Sequence, residues 1–175
     1  MNKKAKLFLG SILVFSLGLS MSSSILTAGP KFSEELEQMK KLEGTWAGTV
    51  TTKEKTEPAQ ARYIVTAKGT TVVEILFPDT PDEVVSVYYD NENGVLTMRN
   101  FSEFQAKPQM DLKSSSSREI IFGFSGNNQF DLKEPHMHEL TIFSSGENEL
   151  VRKWAHYQDG KPHHEMIISA QRAAQ

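Results

Sequence analysis

The sequence predicts an all-β protein, an antiparallel up-and-down barrel of about eight to ten strands behind a short N-terminal helix. After Leu42 the spacing of apolar residues changes from helical to a period of two, and short segments of this kind follow to the end of the chain. Turn sequences separate the segments, and no helical pattern lies between them, which favours antiparallel over parallel pairing. Closure into a barrel removes the sheet edges, and a two-sheet sandwich is the alternative.

Residues 1–28 have the pattern of a secretory signal peptide. Lys3, Lys4 and Lys6 form a positive region, residues 7–19 are apolar, and small residues follow up to Ala28. The apolar run is short for a membrane span, although an uncleaved N-terminal anchor is the alternative. We therefore expect an exported protein, periplasmic or extracellular, with no stable membrane anchor after cleavage.

Residues 29–43 are predicted to contain one short helix, from Lys31 to Lys41, ahead of a single barrel domain over residues 44–175. Ser33 can cap the N terminus of this helix, where acidic residues follow, and lysines lie at its C terminus. An isolated helix of this length is marginally stable. We expect it to pack across one end of the barrel.

Ten candidate strands follow the helix. They are Thr45–Lys53, Ala59–Ala67, Thr71–Phe77, Glu83–Tyr89, Val95–Phe101, Gln109–Lys113, Glu119–Phe124, His136–Phe143, Glu149–Tyr157 and His164–Arg172. Sequences typical of tight turns lie between them, among them Asn91–Gly94 and Asp159–Pro162. In the third strand one face carries Val72, Glu74 and Leu76, as expected for a strand with two different faces.

The composition limits the classes of function. The chain has no cysteine, which excludes a disulfide framework, a lipid-anchored N-terminal cysteine and thiolate chemistry. Residues 1–28 hold three lysines and no acidic residue, so their removal changes the net charge from −3 to −6. A moderately acidic surface argues against nucleic acid as a partner. The sequence contains no phosphate-binding glycine loop, nucleophile elbow or paired-carboxylate motif, and nothing in it indicates an enzyme.

Gly44-Thr45-Trp46 opens the first predicted strand, and Arg172 ends the last one. This pair resembles the calycin superfamily of lipocalin-like barrels. The resemblance implies that the indole of Trp46 plugs the closed end of the barrel and that the guanidinium of Arg172 lies across it in a cation–π contact. It also implies a fold that carries a small molecule rather than one that transforms it.

Further motifs are spread over residues 42–172. They are Leu42-Glu43-Gly44-Thr45-Trp46, Val72-Val73-Glu74-Ile75-Leu76-Phe77-Pro78, Val85-Ser86-Val87-Tyr88, His136-Met137-His138 and Trp154 through Asp159-Gly160-Lys161. Together they resemble a family of uncharacterised bacterial proteins with this kind of barrel. The chain departs from that family at Arg99-Asn100-Phe101, where the family often has His-Tyr-Cys. The resemblance implies a fold and no activity.

His136 and His138 are two residues apart in a predicted strand, so both imidazoles are expected on one face, which Leu140 continues. Such a pair can chelate Zn²⁺ or Cu²⁺ if a third ligand joins it, and it can also contact haem or another ligand. The candidates for that third ligand are Glu74, His156 and His164. The alternative is a pair of histidines that hydrogen-bond to their neighbours in a polar pocket.

Glu74 lies between apolar neighbours in the third strand. If its face is interior, the carboxylate needs a partner, which Arg99 or Arg152 can supply. If its face is exterior, the carboxylate is solvated, and alternation alone does not distinguish the two cases.

We expect this exported barrel to bind a small, mainly apolar molecule in its interior. The side chains expected to contact the ligand are His136, His138, Glu74, Trp154, His156 and Tyr88. Two alternatives remain open. One is a metal or haem protein that uses His136 and His138, and the other is an envelope module that binds a partner protein through the outer surface of the barrel. The sequence does not indicate the oligomeric state.

Overall fold

Ten antiparallel strands form a closed barrel in the computed structural model, which describes residues 32–104, 106–126 and 128–174. The elements are α1 (Glu34–Lys40), β1 (Gly44–Thr51), β2 (Thr56–Thr66), β3 (Thr71–Leu76), β4 (Val84–Asp90), β5 (Leu96–Phe101), β6 (Gln109–Ser115), β7 (Glu119–Phe124), β8 (His136–Ser144), β9 (Glu149–Gln158) and β10 (Lys161–Arg172). Each strand pairs with the next along the chain, and β1 pairs with β10. This closure confirms the predicted up-and-down barrel and excludes the sandwich.

The predicted signal peptide, residues 1–28, lies outside the described residues. Within the described ranges, no helix has the length and apolar character needed to cross a membrane.

The short helix α1 covers one end of the barrel. Ser33 caps it, because its hydroxyl oxygen accepts a hydrogen bond from the Leu36 amide at 3.0 Å. Asp90, at the end of β4, accepts hydrogen bonds from both the amide and the hydroxyl of Ser33. Leu36 and Met39 are fully buried and join the barrel core. The helix is therefore held by its cap and by the apolar face that it buries.

Several strands are longer or shorter than the sequence predicts, and local backbone geometry explains two of the differences. The turn between β9 and β10 consists of Asp159 and Gly160 alone, both with positive φ, 54° and 70°. Two such residues form the tight hairpin turn that matches the twist of a sheet, so β10 begins at Lys161 rather than at His164. Strand β3 ends at Leu76, because Phe77 adopts a φ of 50° that leaves the strand conformation.

The barrel closes through a close approach of β1 and β10 at Gly48. Gly48 lies opposite Ala170 in the register. A Cβ atom at Gly48 would lie 2.0 Å from the carbonyl oxygen of Ser169, so no larger residue fits unless the backbone moves.

Trp46 and Arg172 meet at the end of the barrel that α1 covers. The Arg172 guanidinium carbon lies 4.4 Å from the centroid of the Trp46 ring. Arg172 also donates hydrogen bonds to the carbonyl oxygens of Lys41, Glu43 and Glu147. The indole nitrogen of Trp46 donates to the Leu42 carbonyl at 2.8 Å. We call this end the plugged end, and the opposite end the open end.

Candidate functional site

Strand β9 shows how the interior changes along the barrel. Four of its side chains face inward at alternate positions, Leu150, Arg152, Trp154 and His156, and all four are buried. Because Gln171 of β10 pairs with Glu149 near the plugged end, the order from Leu150 to His156 runs from the plugged end to the open end. Arg152 thus belongs to the middle of the barrel, and His156 to the open half.

The open half contains a partly enclosed cavity of about 450 Å³. Its walls come mainly from strand ends and from the loops at the open end, and they include Val50, Phe77, Val84, Asn100, Phe104, Ala106, Pro108, His136, Met137, Trp154, His156, His164 and Met166. The volume lies within the range of about 300–1,000 Å³ that is typical of small-molecule sites. The apolar residues on its walls suit a ligand with a largely apolar body.

Two buried nitrogen atoms belong to side chains of the cavity wall and lack hydrogen-bond partners. Trp154 is 3 % exposed and His156 is 8 % exposed. Neither Trp154 Nε1 nor His156 Nε2 has a partner in the part of the chain that the structure describes. A buried polar group without a partner costs about 1–3 kcal/mol. The two ring centroids are 5.8 Å apart, so the two rings are neighbours on the cavity wall.

Two histidines on the cavity wall, His156 and His164, have lowered pKa values. Burial, assisted by the nearby His164, lowers the pKa of His156 to about 4. The ring of His164 lies parallel to that of His156, with centroids 4.4 Å apart and an angle of 11°. Burial also lowers the pKa of His164. At pH 7 both imidazoles are therefore uncharged, and their parallel stacking does not direct their nitrogens toward one ion.

His136 and His138 lie side by side, as their spacing predicts, but His138 does not share the inner face of the barrel with Leu140. A β-bulge shifts the register of β8 against β9 between Met137 and Glu139. As a result, Met137 lies opposite His156 and is buried in the cavity wall, and His138 is not part of that wall. Its ring stacks on Tyr157 instead, with centroids 3.8 Å apart.

His136 lines the cavity, but both of its ring nitrogens are engaged. Its Nδ1 lies 2.7 Å from the carbonyl oxygen of Glu134, so this nitrogen carries the proton and donates. Its Nε2 lies 3.2 Å from Nδ1 of His138, so in the neutral rings Nε2 accepts the proton of His138. The rings of Phe124 and Phe130 pack around the pair, each with its centroid 5.2 Å from that of His136.

These contacts do not fit the predicted metal site. The described residues contain no group of three His, Cys, Asp or Glu side chains placed to hold one ion. Of the proposed third ligands, Glu74 is occupied by an ion pair in the barrel centre, and His156 and His164 stack on each other. His136 and His138 thus form a hydrogen-bonded pair, of which His136 alone lines the cavity.

Glu74 faces the interior and forms a buried polar network on the plugged side of Trp154. Its carboxylate accepts a hydrogen bond from the hydroxyl of Tyr63, another from that of Tyr88 at 2.8 Å, and one from Nη2 of Arg152 at 2.7 Å. Burial, followed by the charge of Glu74, raises the pKa of both tyrosines. The guanidinium carbon of Arg152 in turn lies 4.9 Å from the Trp154 ring centroid.

Two side chains that were predicted to contact a ligand, Glu74 and Tyr88, belong to this network. Glu74 and Tyr88 are not part of the cavity wall, because their oxygens are committed to each other and to Arg152. Of the two arginines that the sequence offers as partners, Glu74 pairs with Arg152, and Arg99 is exposed and lies near Gln109. Trp154, His156 and His136 are the three predicted contacts that do line the cavity.

Some residues of the cavity wall are not predicted from the sequence. Asn100 is 3 % exposed and lines the cavity, and its amide donates to the Ser86 hydroxyl at 3.2 Å. Asn100 occupies a position where the resembled family often has Tyr, and this departure from the family pattern is the signal in the sequence that could have identified it. Phe77, Ala106 and Met137 also line the cavity, and their placement depends on loop geometry and on the β8 bulge, which the sequence pattern does not encode.

Comparison with solved structures supports the fold. Over 82 % of this chain and 100 % of the other, the protein is similar to Rv2717c from M. tuberculosis, with 10 % identity and a TM-score of 0.55. It is more distantly similar to a protein of unknown function from the DUF3598 family of Nostoc punctiforme, with 11 % identity and a TM-score of 0.48 over 77 % of this chain. The chain spans about half the length of that protein, 49 %.

A third similar structure is the protein EF1p2_mFAP2b bound to DFHBI, with 10 % identity and a TM-score of 0.41 over 79 % of this chain and 98 % of the other. No protein-family model matches the sequence, and no curated protein matches it. Likeness at these identities concerns the fold alone. Fold and site together define a closed ten-stranded β-barrel with a cavity in its open half.

Proposed function

We propose that this protein binds a small, mainly apolar molecule in the cavity of its open half. The observation that carries the proposal is the combination of an apolar cavity of about 450 Å³ with two buried nitrogens on its wall, Trp154 Nε1 and His156 Nε2, that have no hydrogen-bond partner among the described residues. Burial of apolar ligand surface supplies the affinity, and the two nitrogens fix the orientation.

The binding residues in this proposal differ from those first expected. Trp154 and His156 supply the polar contacts, and His136 contributes wall surface because its nitrogens are already bonded. Glu74 and Tyr88 support the cavity from the far side of Trp154 rather than contact the ligand.

The proposed setting is outside the cytoplasm. The pattern of residues 1–28 supports export to the periplasm or beyond. We also propose that the chain belongs with the secreted calycin-type barrels, on the strength of Gly44-Thr45-Trp46, Arg172 and the other motifs they accompany.

Native mass spectrometry tests the binding proposal. The full chain is expressed in an exporting host, and the protein is purified without chelator. We expect added mass that corresponds to a small organic molecule. Added mass of zinc, copper or haem would instead support the alternative based on His136 and His138. A bare mass, together with no binding of apolar dyes such as Nile red, would overturn the proposal.

Two matched variants locate the site. Ala106 is buried in the cavity wall, so Ala106→Trp should fill the cavity and abolish dye binding. Ala47 is exposed on β1, so Ala47→Trp adds the same ring outside the barrel and should leave dye binding unchanged. Equal loss in both variants, with circular dichroism showing that both fold, would place the dye outside the cavity.

A further inference from the structure

We infer that the cavity selects an uncharged ligand that carries a hydroxyl or carbonyl oxygen, and that it rejects carboxylates. This inference rests on the proposed function and adds the chemical class of the ligand. It follows from the hydrogen-bonding groups on the cavity wall, from the charged side chains around the cavity entrance, which we call the rim, and from the ion pair that the nearest buried cation already forms.

The inner wall offers neutral hydrogen-bonding groups. The Trp154 indole is only ever a donor, so the ligand atom that meets it must be an acceptor. A neutral His156 Nε2 either donates to the same atom or accepts from it, depending on its tautomer. A carbonyl oxygen satisfies two donors, and a hydroxyl satisfies one donor and one acceptor. Both are uncharged oxygen functions.

The rim carries an excess of negative charge. The charged side chains that line the cavity, its histidines aside, are Lys55, Glu57, Asp82 and Glu103. Lys55 pairs with Glu57 at 2.8 Å, and Asp82 and Glu103 form no salt bridge within the described residues. Lys107, in the loop that forms part of this rim, donates to the carbonyl oxygens of Ser102 and Phe104. An anion therefore meets repulsion at the entrance.

Arg152 does not supply a binding site for an anion in the cavity. It lies behind Trp154, is 1 % exposed and is not part of the wall. Its charge is balanced by Glu74 at 2.7 Å, although its Nε and Nη1 have no partners among the described residues. A carboxylate that enters the cavity would thus lose its hydration without gaining a cation, which is costly.

Three naphthalenes, of which the acetyl and carboxylate compounds are nearly equal in shape, test the inference on the protein purified after expression of the full chain. The probes are naphthalene, 2-acetylnaphthalene and 2-naphthoate, which compete with Nile red at pH 7.5. We expect 2-acetylnaphthalene to bind most tightly and 2-naphthoate to bind at least about tenfold more weakly than it. The Ala106→Trp variant should bind none of them.

A substitution of the indole isolates the hydrogen bond. Trp154→Phe keeps an aromatic ring and removes the N–H, so 2-acetylnaphthalene should lose about three- to tenfold in affinity while naphthalene changes little. The chain has one other tryptophan, Trp46, whose indole nitrogen is bonded to Leu42 at the plugged end. Trp46→Phe is the matched control and should preserve the preference for the acetyl compound.

The outcomes separate the inference from the proposed function. If neither Nile red nor any of the three naphthalenes binds, the cavity is not a ligand site and both fall; if Nile red binds and none of the three displaces it, only the inference falls. If 2-naphthoate binds as tightly as 2-acetylnaphthalene, or more tightly, only the inference falls, and Arg152 becomes the group to test. If Trp154→Phe weakens naphthalene and 2-acetylnaphthalene equally, the indole contributes shape alone and the oxygen selection is wrong.

Discussion

The carboxylate of Glu74 and the guanidinium of Arg152 form an ion pair of 2.7 Å at the centre of the barrel, 78 residues apart in the chain. Neither side chain is accessible to solvent. Two tyrosine hydroxyls complete the hydrogen bonds of the carboxylate, whereas two of the guanidinium nitrogens remain without partners in the described part of the chain. The pair thus joins β3 to β9 across the interior, and each charge depends on the other.

We predict that Glu74→Gln lowers the free energy of unfolding by about 3–5 kcal/mol, because the substitution leaves Arg152 charged and uncompensated in the core. Urea unfolding followed by circular dichroism measures the loss. Glu165→Gln is the matched control, since Glu165 pairs with Lys153 at 2.9 Å on the surface and its loss should hardly matter. Similar effects of the two substitutions would contradict the role assigned to the buried pair.

We predict that His156 makes the protein less stable at acid pH. Its folded pKa, lowered by burial to about 4, lies below the usual unfolded value of about 6.5, so the unfolded chain takes up the proton first. The stability that neutral His156 contributes is present above pH 6.5 and is lost as the pH falls toward 4, by about 3 kcal/mol at most.

Urea unfolding of the wild type and His156→Phe at several pH values between 4 and 8 tests this dependence. The variant should show a shallower decline of unfolding free energy between pH 6.5 and 4. Some slope will remain, because burial also lowers the pKa of His138 and His164. Parallel curves for the two proteins would show that His156 is not the titrating group.

We predict that Arg172→Lys lowers the unfolding free energy by about 1–3 kcal/mol. The guanidinium stacks on Trp46 and donates to three backbone carbonyls, and an ammonium group cannot reproduce that planar arrangement. Thermal unfolding compares it with Arg62→Lys, a substitution at an exposed position of β2. If Arg62→Lys is equally damaging, the plug has no special role.

We predict that Gly48→Ala destabilises the barrel by about 1–3 kcal/mol or more, since the added methyl group would overlap the Ser169 carbonyl where β1 meets β10. Gly126→Ala is the control, because a Cβ there meets no atom within 4 Å. Urea unfolding of both variants gives the comparison. Retention of full stability in Gly48→Ala would mean that the two strands separate easily at this point.

The sequence predicts the fold well because the signals for it are local. Period-two alternation and turn residues mark all ten strands, and Ser33 marks the start of the helix. The differences lie at strand ends, such as Lys161, where two residues with positive φ make the turn shorter than the run of turn formers suggests. Local patterns therefore determine the order of the elements better than their limits.

The site is less predictable because it depends on register and on contacts distant in sequence. Because of the bulge in β8, Met137 rather than His138 lies on the inner face, and the alternation of apolar and polar residues does not predict this bulge. Likewise, the sequence shows that Glu74 needs a cation, whereas only the closed barrel brings Arg152 to it. Residues of three loops, β1–β2, β3–β4 and β5–β6, line the cavity together with strand residues, and their spatial relationship arises only on closure.

The ion pair behind Trp154 lies between two parts of the barrel, the plugged side and the open side with its cavity. Side chains on the plugged side hold the fold together, and those on the open side are the ones a ligand would meet. Under the proposed function, substitutions of cavity-wall residues such as Val84, Asn100 or Met166 would alter which molecule binds, while the Glu74–Arg152 pair and the contact of Arg172 with Trp46 continue to stabilise the fold. Fold stability and ligand preference would then be separable properties of this barrel.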